Sequence, residues 1–334
     1  MRNRCAEKFG QEQAFVLITL LWVLVALSLL ALNLAYTVRV EMSMASAAEE
    51  SEKAYFYARG ALAAVTYQLV YPDPDKEKQT KLFPYSDGMS HYWMHTPEIY
   101  CHVAVLDEAG KLDLNFSNEP TLEKLLGNLG VDPRVRIPLA KSIMKWRGQE
   151  GSPGAVAGSP RQFRSVEELL LVEGMTREIL YGDPRRNLNG KAGLGRGLAE
   201  YVTVYTGTPQ ININYAEPEA IAALPGIDMS LANSIVYARQ KGEIKSVSEL
   251  SQRIAGLIPG ETVPLFSSTL SGTYSIVATA FLKNSKIYRS VKAVVKFDDE
   301  LKLKHEKLIW YDEYWPAERV LKWSQLPEVS EGDQ

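Results

Sequence analysis

The sequence is poor in the residues that chemistry most often needs. It has two cysteines, Cys5 and Cys101, and four histidines in 334 residues. Cys5 precedes the first apolar run, so Cys101 has no partner within the chain and no disulfide framework is expected. There is no basic excess: the formal net charge is −3, which argues against a phosphate-binding surface spread over the molecule. No HExxH, phosphate loop or nucleophile elbow is present. The chain is therefore not expected to be an enzyme. His91, His95, Cys101 and His102 do cluster. His91 and His95 on one helix face would offer two metal ligands, but Tyr92, Trp93 and Pro97 read better as a loop entering a strand.

Helix breakers are also missing where it matters. No Gly or Pro lies between Ala14 and Arg59. Within that stretch Ala14 to Tyr36 carries no charge, and at about 1.5 Å per residue it is long enough to cross a bilayer. A cleaved signal peptide has a shorter apolar region followed by small residues, and no such site follows. Arg2, Arg4 and Lys8 place the N-terminus on the cytoplasmic side and the bulk of the chain outside. Beyond Tyr36 the residues Val40, Met44, Ala47, Ala54, Ala58, Leu62, Val65 and Leu69 keep three- and four-residue steps. The spacing predicts one helix from about Phe15 to Leu69, closed by Pro72, with Gly60 a mild flaw. Its first half would lie in lipid and its second on a soluble domain. The plainer alternative is an anchor followed by a separate helix.

Two hairpins are expected in the soluble part. Tyr100–Leu106 and Lys111–Phe116 alternate around the turn Asp107-Glu108-Ala109-Gly110, and Tyr274–Leu282 and Tyr288–Phe297 alternate around Lys283-Asn284-Ser285. Four antiparallel strands on the exposed half of the long helix would bury both apolar faces, an α+β arrangement. The residues between the hairpins repeat. Asn115-Phe116-Ser117 recurs as Asn214-Tyr215-Ala216. Leu139-Ala140 with Ser142-Ile143 recurs as Leu231-Ala232 with Ser234-Ile235, followed by Arg147 or Arg239. Ser165-Val166 with Leu169 recurs as Ser246-Val247 with Leu250. Three matches in one order mark an internal repeat. Gly- and Pro-rich stretches at 148–160 and 182–197 are expected as loops.

In the second copy, Leu224 to Arg239 has the form of a helix-hairpin-helix motif. Pro225-Gly226 makes the tight turn, Ser230 is the expected cap, and Leu231, Ile235 and Ala238 the buried stripe. Hairpins of this type contact phosphate through backbone N–H groups of a Gly-x-Gly turn. Here Asp228 stands at the second Gly, and the first copy has Gly130-Val131-Asp132. A carboxylate there repels phosphate, so nucleic-acid binding is not expected, though a membrane-anchored helix-hairpin-helix DNA-binding protein is the rival reading. The run from Trp310 to Trp315 would pack on its own domain or serve a partner, and is left unassigned.

Taken together these features resemble type IV pilins and pseudopilins, and most closely the minor pseudopilin K family of type II secretion systems. The phrases at 165–176, 201–207 and above all 211–227 carry that resemblance, with the anchor helix. It implies a pilin-like domain, residues 37–117 and 269–334, interrupted by an all-helical insertion, residues 118–268. It implies a leader, residues 1–14, removed by prepilin peptidase, with cleavage and methylation of the new first residue, and a membrane part at 15–36. Cleavage is expected between Ala14 and Phe15, the alternative being Gly10 and Gln11. Thr19 then stands at the fifth mature position, where major pilins carry Glu. The resemblance further implies an inner-membrane, single-pass protein with its C-terminal domain in the periplasm, at the tip of a pseudopilus that assists export of folded proteins. Its partners would be minor pseudopilins of the I and J types and the inner-membrane secretion platform, with the helix stripe from Val40 to Leu69 docking on the smaller two. A type IV pilus minor pilin is the alternative. Some members bind calcium in the insertion. Glu150, Asp183 and Asn187 are candidate oxygens, too few for the six to eight that calcium takes, so no ligand set is assigned and no cofactor is expected.

Overall fold

The computed structural model describes residues 2–71, 90–148, 161–182, 196–254, 258–283, 285, 287–298, 305–312 and 314. The first element, α1 (Arg2–Val70), is a single helix. The lack of breakers accounts for its length, and Gly60 sits inside it without a kink because a helix tolerates one glycine at a cost of about 1 kcal/mol. Pro72, expected to close it, lies outside the described residues.

The soluble part begins with β1 (Ser90–His95) and β2 (Ile99–Asp107), paired antiparallel with Trp93 opposite His102. This overturns the first expected hairpin. The chain does not fold back after Asp107. It turns through a short 3-10 segment at Glu108–Gly110, and β3 (Leu112–Asp113) runs parallel to β4 (Val202–Thr203) inside the insertion. Alternation alone cannot name a strand's partner, and the partner of β2 lay upstream, where Tyr92 and Trp93 read as loop. His91 and His95 accordingly lie on a strand, not a helix.

Between β3 and β4 come α2 (Glu119–Asn128), α3 (Pro133–Trp146) and α4 (Arg177–Tyr181). After β4 the second copy repeats the plan: β5 (Ile211–Asn212), α5 (Pro218–Ala222), α6 (Met229–Gln240), α7 (Val247–Arg253) and β6 (Phe266–Ser267), with β5 parallel to β6. The two copies share one core, with Leu125, Ile143 and Leu169 from the first and Ile221, Ile235 and Leu250 from the second, all fully buried.

The chain then returns as β7 (Thr273–Leu282) and β8 (Tyr288–Phe297), the second expected hairpin; Asn284 of its turn lies outside the described residues. A fifth strand, β9 (His305–Tyr311), pairs with β8, so the sheet has the order β1-β2-β7-β8-β9 and not four strands. The helix packs on this antiparallel sheet. Ala54, Ala58, Ala61, Leu62 and Val65 are buried against Val103, Val105, Ile276, Ala278, Val291 and Ala293. Alanines bring the helix close to the strands, and burying Leu62 and Val65 contributes roughly 1.5–3 kcal/mol each.

Only this part of the expected stripe is covered. Tyr36 and Met44 are 70% and 67% exposed, because the sheet begins beside residue 50: Ser285 donates to Glu50 at 2.7 Å and Arg289 to Ser51 at 2.6 Å. Further up, Arg59 stacks over Trp310, which is on the strand beside β8. The sheet therefore climbs α1 away from the apolar end, and β2 runs the same way from its turn at Thr96–Glu98, where Lys283 N–H donates to the Glu98 carbonyl. Asp107, the last residue of β2, lies at the far end. The insertion leaves and rejoins the sheet there.

Candidate functional site: the anchor helix, the joint and the paired hairpins

The stretch of α1 from Thr19 is long and apolar enough to cross a membrane, and none of its most apolar window is buried. Such a bare surface is stable in lipid and costly in water. Gly10, Gln11, Ala14 and Phe15 all fall within the helical backbone of α1. The Thr19 hydroxyl donates to the Val16 carbonyl at 2.9 Å, so this polar group is satisfied by its own helix.

At the joint, a buried polar cluster ties the two chain crossings together. The Asp107 carboxylate accepts from the Ala109 N–H at 2.9 Å, the Ser271 N–H at 3.1 Å and the Ser271 hydroxyl. Asp107 thus clips the outgoing strand to the residue just ahead of β7. Burial pushes its pKa up to about 6, against the pull of Ser271 and Ala109. The next residue, Glu108, accepts from Lys111 and from Ser275 of β7, each at 2.5 Å. Burial works against its charge, but Lys111, Lys292 and the two hydrogen bonds outweigh it and hold its pKa below the ordinary value. On the other side of the sheet edge, the Tyr311 hydroxyl of β9 donates to Glu167 of the insertion at 2.5 Å. Tyr314 packs with Ala104, Val277 and Leu106 and its N–H donates to the Ser290 carbonyl. Trp310, Tyr311 and Tyr314 of the aromatic run therefore pack on their own domain, while Glu313 and Trp315 lie outside the described residues.

The two copies close by the same device. Arg147 at the end of α3 donates through one nitrogen to the carbonyls of Leu114 and Ser117, at 2.5 and 2.6 Å. Arg239 at the end of α6 donates to Ile213 and Ala216, at 3.1 and 2.6 Å. Asn115 exchanges two hydrogen bonds with the backbone of Phe163, and Asn214 does the same with Ile244. Each pair of side chains pins the loop after a short strand to the end of one helix and the start of the next. The sequence displayed these residues as repeats; their partners, main-chain carbonyls, leave no mark in a sequence.

Both hairpins turn through a left-handed glycine, Gly130 at φ 83° and Gly226 at φ 69°. The carboxylates that follow cap helices. Asp132 accepts from the Arg134 N–H at 2.8 Å and Asp228 from the Leu231 N–H at 2.7 Å. Asp228, not Ser230, is the cap of α6, because the helix starts at Met229 and leaves Ser230 in its first turn, where its carbonyl accepts from Ser234. Of the expected stripe Ile235 and Ala238 are buried and Leu231 is half-buried. The second hairpin is also roofed by its own chain. The Thr262 hydroxyl donates to the Pro225 carbonyl at 2.6 Å, and a Cβ on Gly226 would stand 2.8 Å from Pro259. From the first copy Lys124 reaches across to donate to the carbonyls of Leu224 and Ile227 at 2.9 and 2.6 Å. The backbone N–H groups that a phosphate would need are faced by a carboxylate and the turn is enclosed.

The histidines fall apart as a set. His91 and His102 face each other across β1 and β2 with their nitrogens 2.9 Å apart, beside Trp93. His95 is two positions beyond Trp93 on that strand, and Cys101 points to the opposite, helix-facing side, where burial pushes its thiol up to about 12. Among the described residues no group of three or more metal-binding side chains is found. Glu150, Asp183 and Asn187 lie outside them, as do most of the two expected loops.

Residues 207–259 match the helix-hairpin-helix motif family. No curated protein matches the chain. Over 82% of this chain and 98% of the other, the structure is similar to a chain of the GspK-GspI-GspJ complex from the type 2 secretion system of enterotoxigenic Escherichia coli, with 13% identity and a TM-score of 0.46.

Proposed function

We propose that this chain is a membrane-anchored minor pseudopilin of the K type, a non-enzymatic subunit that caps a type II secretion pseudopilus. One observation carries the reading. A single unbroken helix is bare and apolar at one end and packed on an antiparallel sheet at the other, and the large insertion leaves that sheet at the end farthest from the apolar part. An insertion so placed does not obstruct the anchor, but it would collide with any similar subunit stacked above. Thr19 fits the same place. A buried Glu at the fifth mature position is costly without the amine of a neighbour, and a capping subunit has no neighbour above it, whereas the Thr19 hydroxyl is satisfied within its own helix.

In this reading prepilin peptidase removes residues 1–14 and the mature protein spans the inner membrane once, with its domain in the periplasm beside pseudopilins of the I and J types. Intact-mass analysis of the mature chain is expected to give an N-terminus at Phe15; a start at Gln11 would move the site to Gly10. Labelling of assembled filaments is expected to find this chain once per filament, at the end. Regular incorporation along the shaft would overturn the capping role.

The helix-hairpin-helix match favours a second reading, nucleic-acid binding. Asp132, Asp228 and the enclosed turn at Gly226 count against it. Detergent-solubilised full-length protein is expected to form no salt-sensitive micromolar complex with duplex DNA at physiological salt, and finding one would reinstate that reading.

A further inference from the structure

The chain is slightly acidic as a whole, yet from 131 to 147 it carries five basic residues and one carboxylate. Two of the five serve the fold itself. Arg147 closes the first copy, and Arg136 leans on Glu123 of α2 at 3.7 Å. The others are exposed. Arg134, Lys141 and Lys145 are spaced seven and four residues apart, so they form one line along α3, opposite the buried Leu139, Ala140 and Ile143. The line runs about 16 Å from end to end. Beside its last turn the exposed Arg161 lies over the Trp146 ring, 4.0 Å from the centroid. Among the described residues no ion pair involves Arg134, Lys141 or Arg161.

Helix stability does not account for these cations. Arg134 is in the first turn of α3, where the helix dipole disfavours positive charge. The second copy acts as an internal control. In the register set by Leu139-Ala140 and Leu231-Ala232, Lys141 corresponds to Asn233 and Lys145 to Tyr237, and α6 forms on the same plan without them. The first turn of α3, which brings Arg134, has no helical counterpart there.

The stripe offers more than charge. Val135 and Ile137 lie on either side of it, 38% and 40% exposed. Pro138, inside the helix and exposed on the same line, has no N–H for the Arg134 carbonyl. That carbonyl is left for a donor from outside the helix. An occupant of this face therefore needs carboxylates or other anionic groups, some apolar surface and an N–H to donate. A polypeptide has all three, whereas a phosphodiester offers acceptors alone. The anchoring bilayer is also distant, because the insertion leaves the sheet at the end of α1 farthest from the apolar run; that exclusion rests on the membrane-anchored reading proposed above. We infer that the outward face of α3 from Arg134 to Lys145 is a docking surface for an acidic segment of another protein, whose carboxylates meet Arg134 and Lys141 and whose N–H groups reach the Arg134 carbonyl.

The test uses the full chain in nanodiscs of zwitterionic lipid and a fluorescent peptide of about eight residues, glutamate alternating with alanine, which is long enough to cover the stripe. Saturable binding is expected for this peptide and not for its glutamine counterpart. Arg134→Gln combined with Lys141→Gln is expected to weaken it about fivefold, while Lys241→Gln combined with Lys245→Gln in the second copy changes it by less than about twofold. Pro138→Ala restores the helical N–H, so it should raise the thermal midpoint and yet weaken the peptide about threefold. Carbodiimide coupling is expected to join the peptide to Lys141 in preference to Lys241. Absence of saturable binding, equal losses in the two double variants, or coupling spread evenly over the surface lysines would overturn the inference. So would tighter binding of duplex DNA or phosphatidylglycerol vesicles to the same stripe. Alkaline extraction of native membranes tests the anchored reading by itself. A chain released into the soluble fraction overturns that reading; a chain retained in the membrane that binds no peptide overturns the docking surface alone.

Discussion

The residues that hold the insertion in place are mostly charged and mostly buried, and each is answered by a main-chain group, a hydroxyl or an opposite charge. Asp107 is the one with a pH signature. Its pKa is raised by burial to about 6 from an ordinary value of 3.8. The folded state therefore binds the proton more tightly than the unfolded chain. Its contribution to stability is fully present below about pH 4 and is lost as pH rises through about 6. Glu108, Tyr215 and Tyr274 surround it; Glu108 adds a negative charge that works in the same direction. Asp107→Asn is expected to raise the unfolding free energy at pH 7.5 by on the order of 1–3 kcal/mol and to flatten the stability profile between pH 4 and 6. Denaturant titrations at a series of pH values check it, and an unchanged profile would mean that Asp107 is less enclosed than its surroundings indicate. At this scale the sequence was readable only where a residue recurs. Arg147 and Arg239 stood out as a pair, yet Asp107 looked like an ordinary turn residue, since its enclosure depends on distant parts of the chain; its hydrogen-bond partner Ser271 is 164 positions away.

Among elements, α1 was the most legible because periodicity and the absence of breakers act locally. What could not be read was which of its turns would be covered, since that depends on where the sheet starts. The strand β9 was missed because its first half carries the charged Glu306 and Lys307, and KLDLNF was misassigned because it alternates like a strand while only Leu112 and Asp113 join a ladder. The hairpin glycine was legible for the reason that makes it irreplaceable. Gly226 is at φ 69°, and an added Cβ would meet Pro259. Gly226→Ala is expected to cost about 1–3 kcal/mol, from backbone strain and that contact. Gly60→Ala should do the opposite. The position is helical and open, so the isolated protein is expected to gain up to about 1 kcal/mol. Measuring both by thermal unfolding in one detergent gives the contrast; equal effects would show that the hairpin adjusts freely.

Among the described residues the two larger cores lie between α1 and the sheet and within the insertion. They meet at the joint built by Asp107, Glu108, Lys111, Ser271 and Ser275, with Tyr311 and Glu167 as a second contact. Because the ion pair there is buried, removing one partner leaves the other charge unanswered, at a cost of several kcal/mol. The parent is expected to lose both cores in one calorimetric transition, whereas Lys111→Met is expected to split it into two. A single transition in the variant would mean that packing alone couples the halves. The repeat explains why an insertion was expected from the sequence while its joint was not: similarity between copies marks what lies inside each, and the joint belongs to neither.

The uncovered length of α1 has a consequence for how the head is aimed. From Tyr36, where the uncharged run ends, to Glu50, where the sheet begins, the helix advances about 20 Å with no other element against it among the described residues. Electrostatic influence from a charged bilayer fades over about 8 Å at physiological ionic strength. With α1 anchored as proposed, the head would be held beyond the reach of lipid charge and its bearing set by the stiffness of one helix, so adding salt should leave its tilt unaltered.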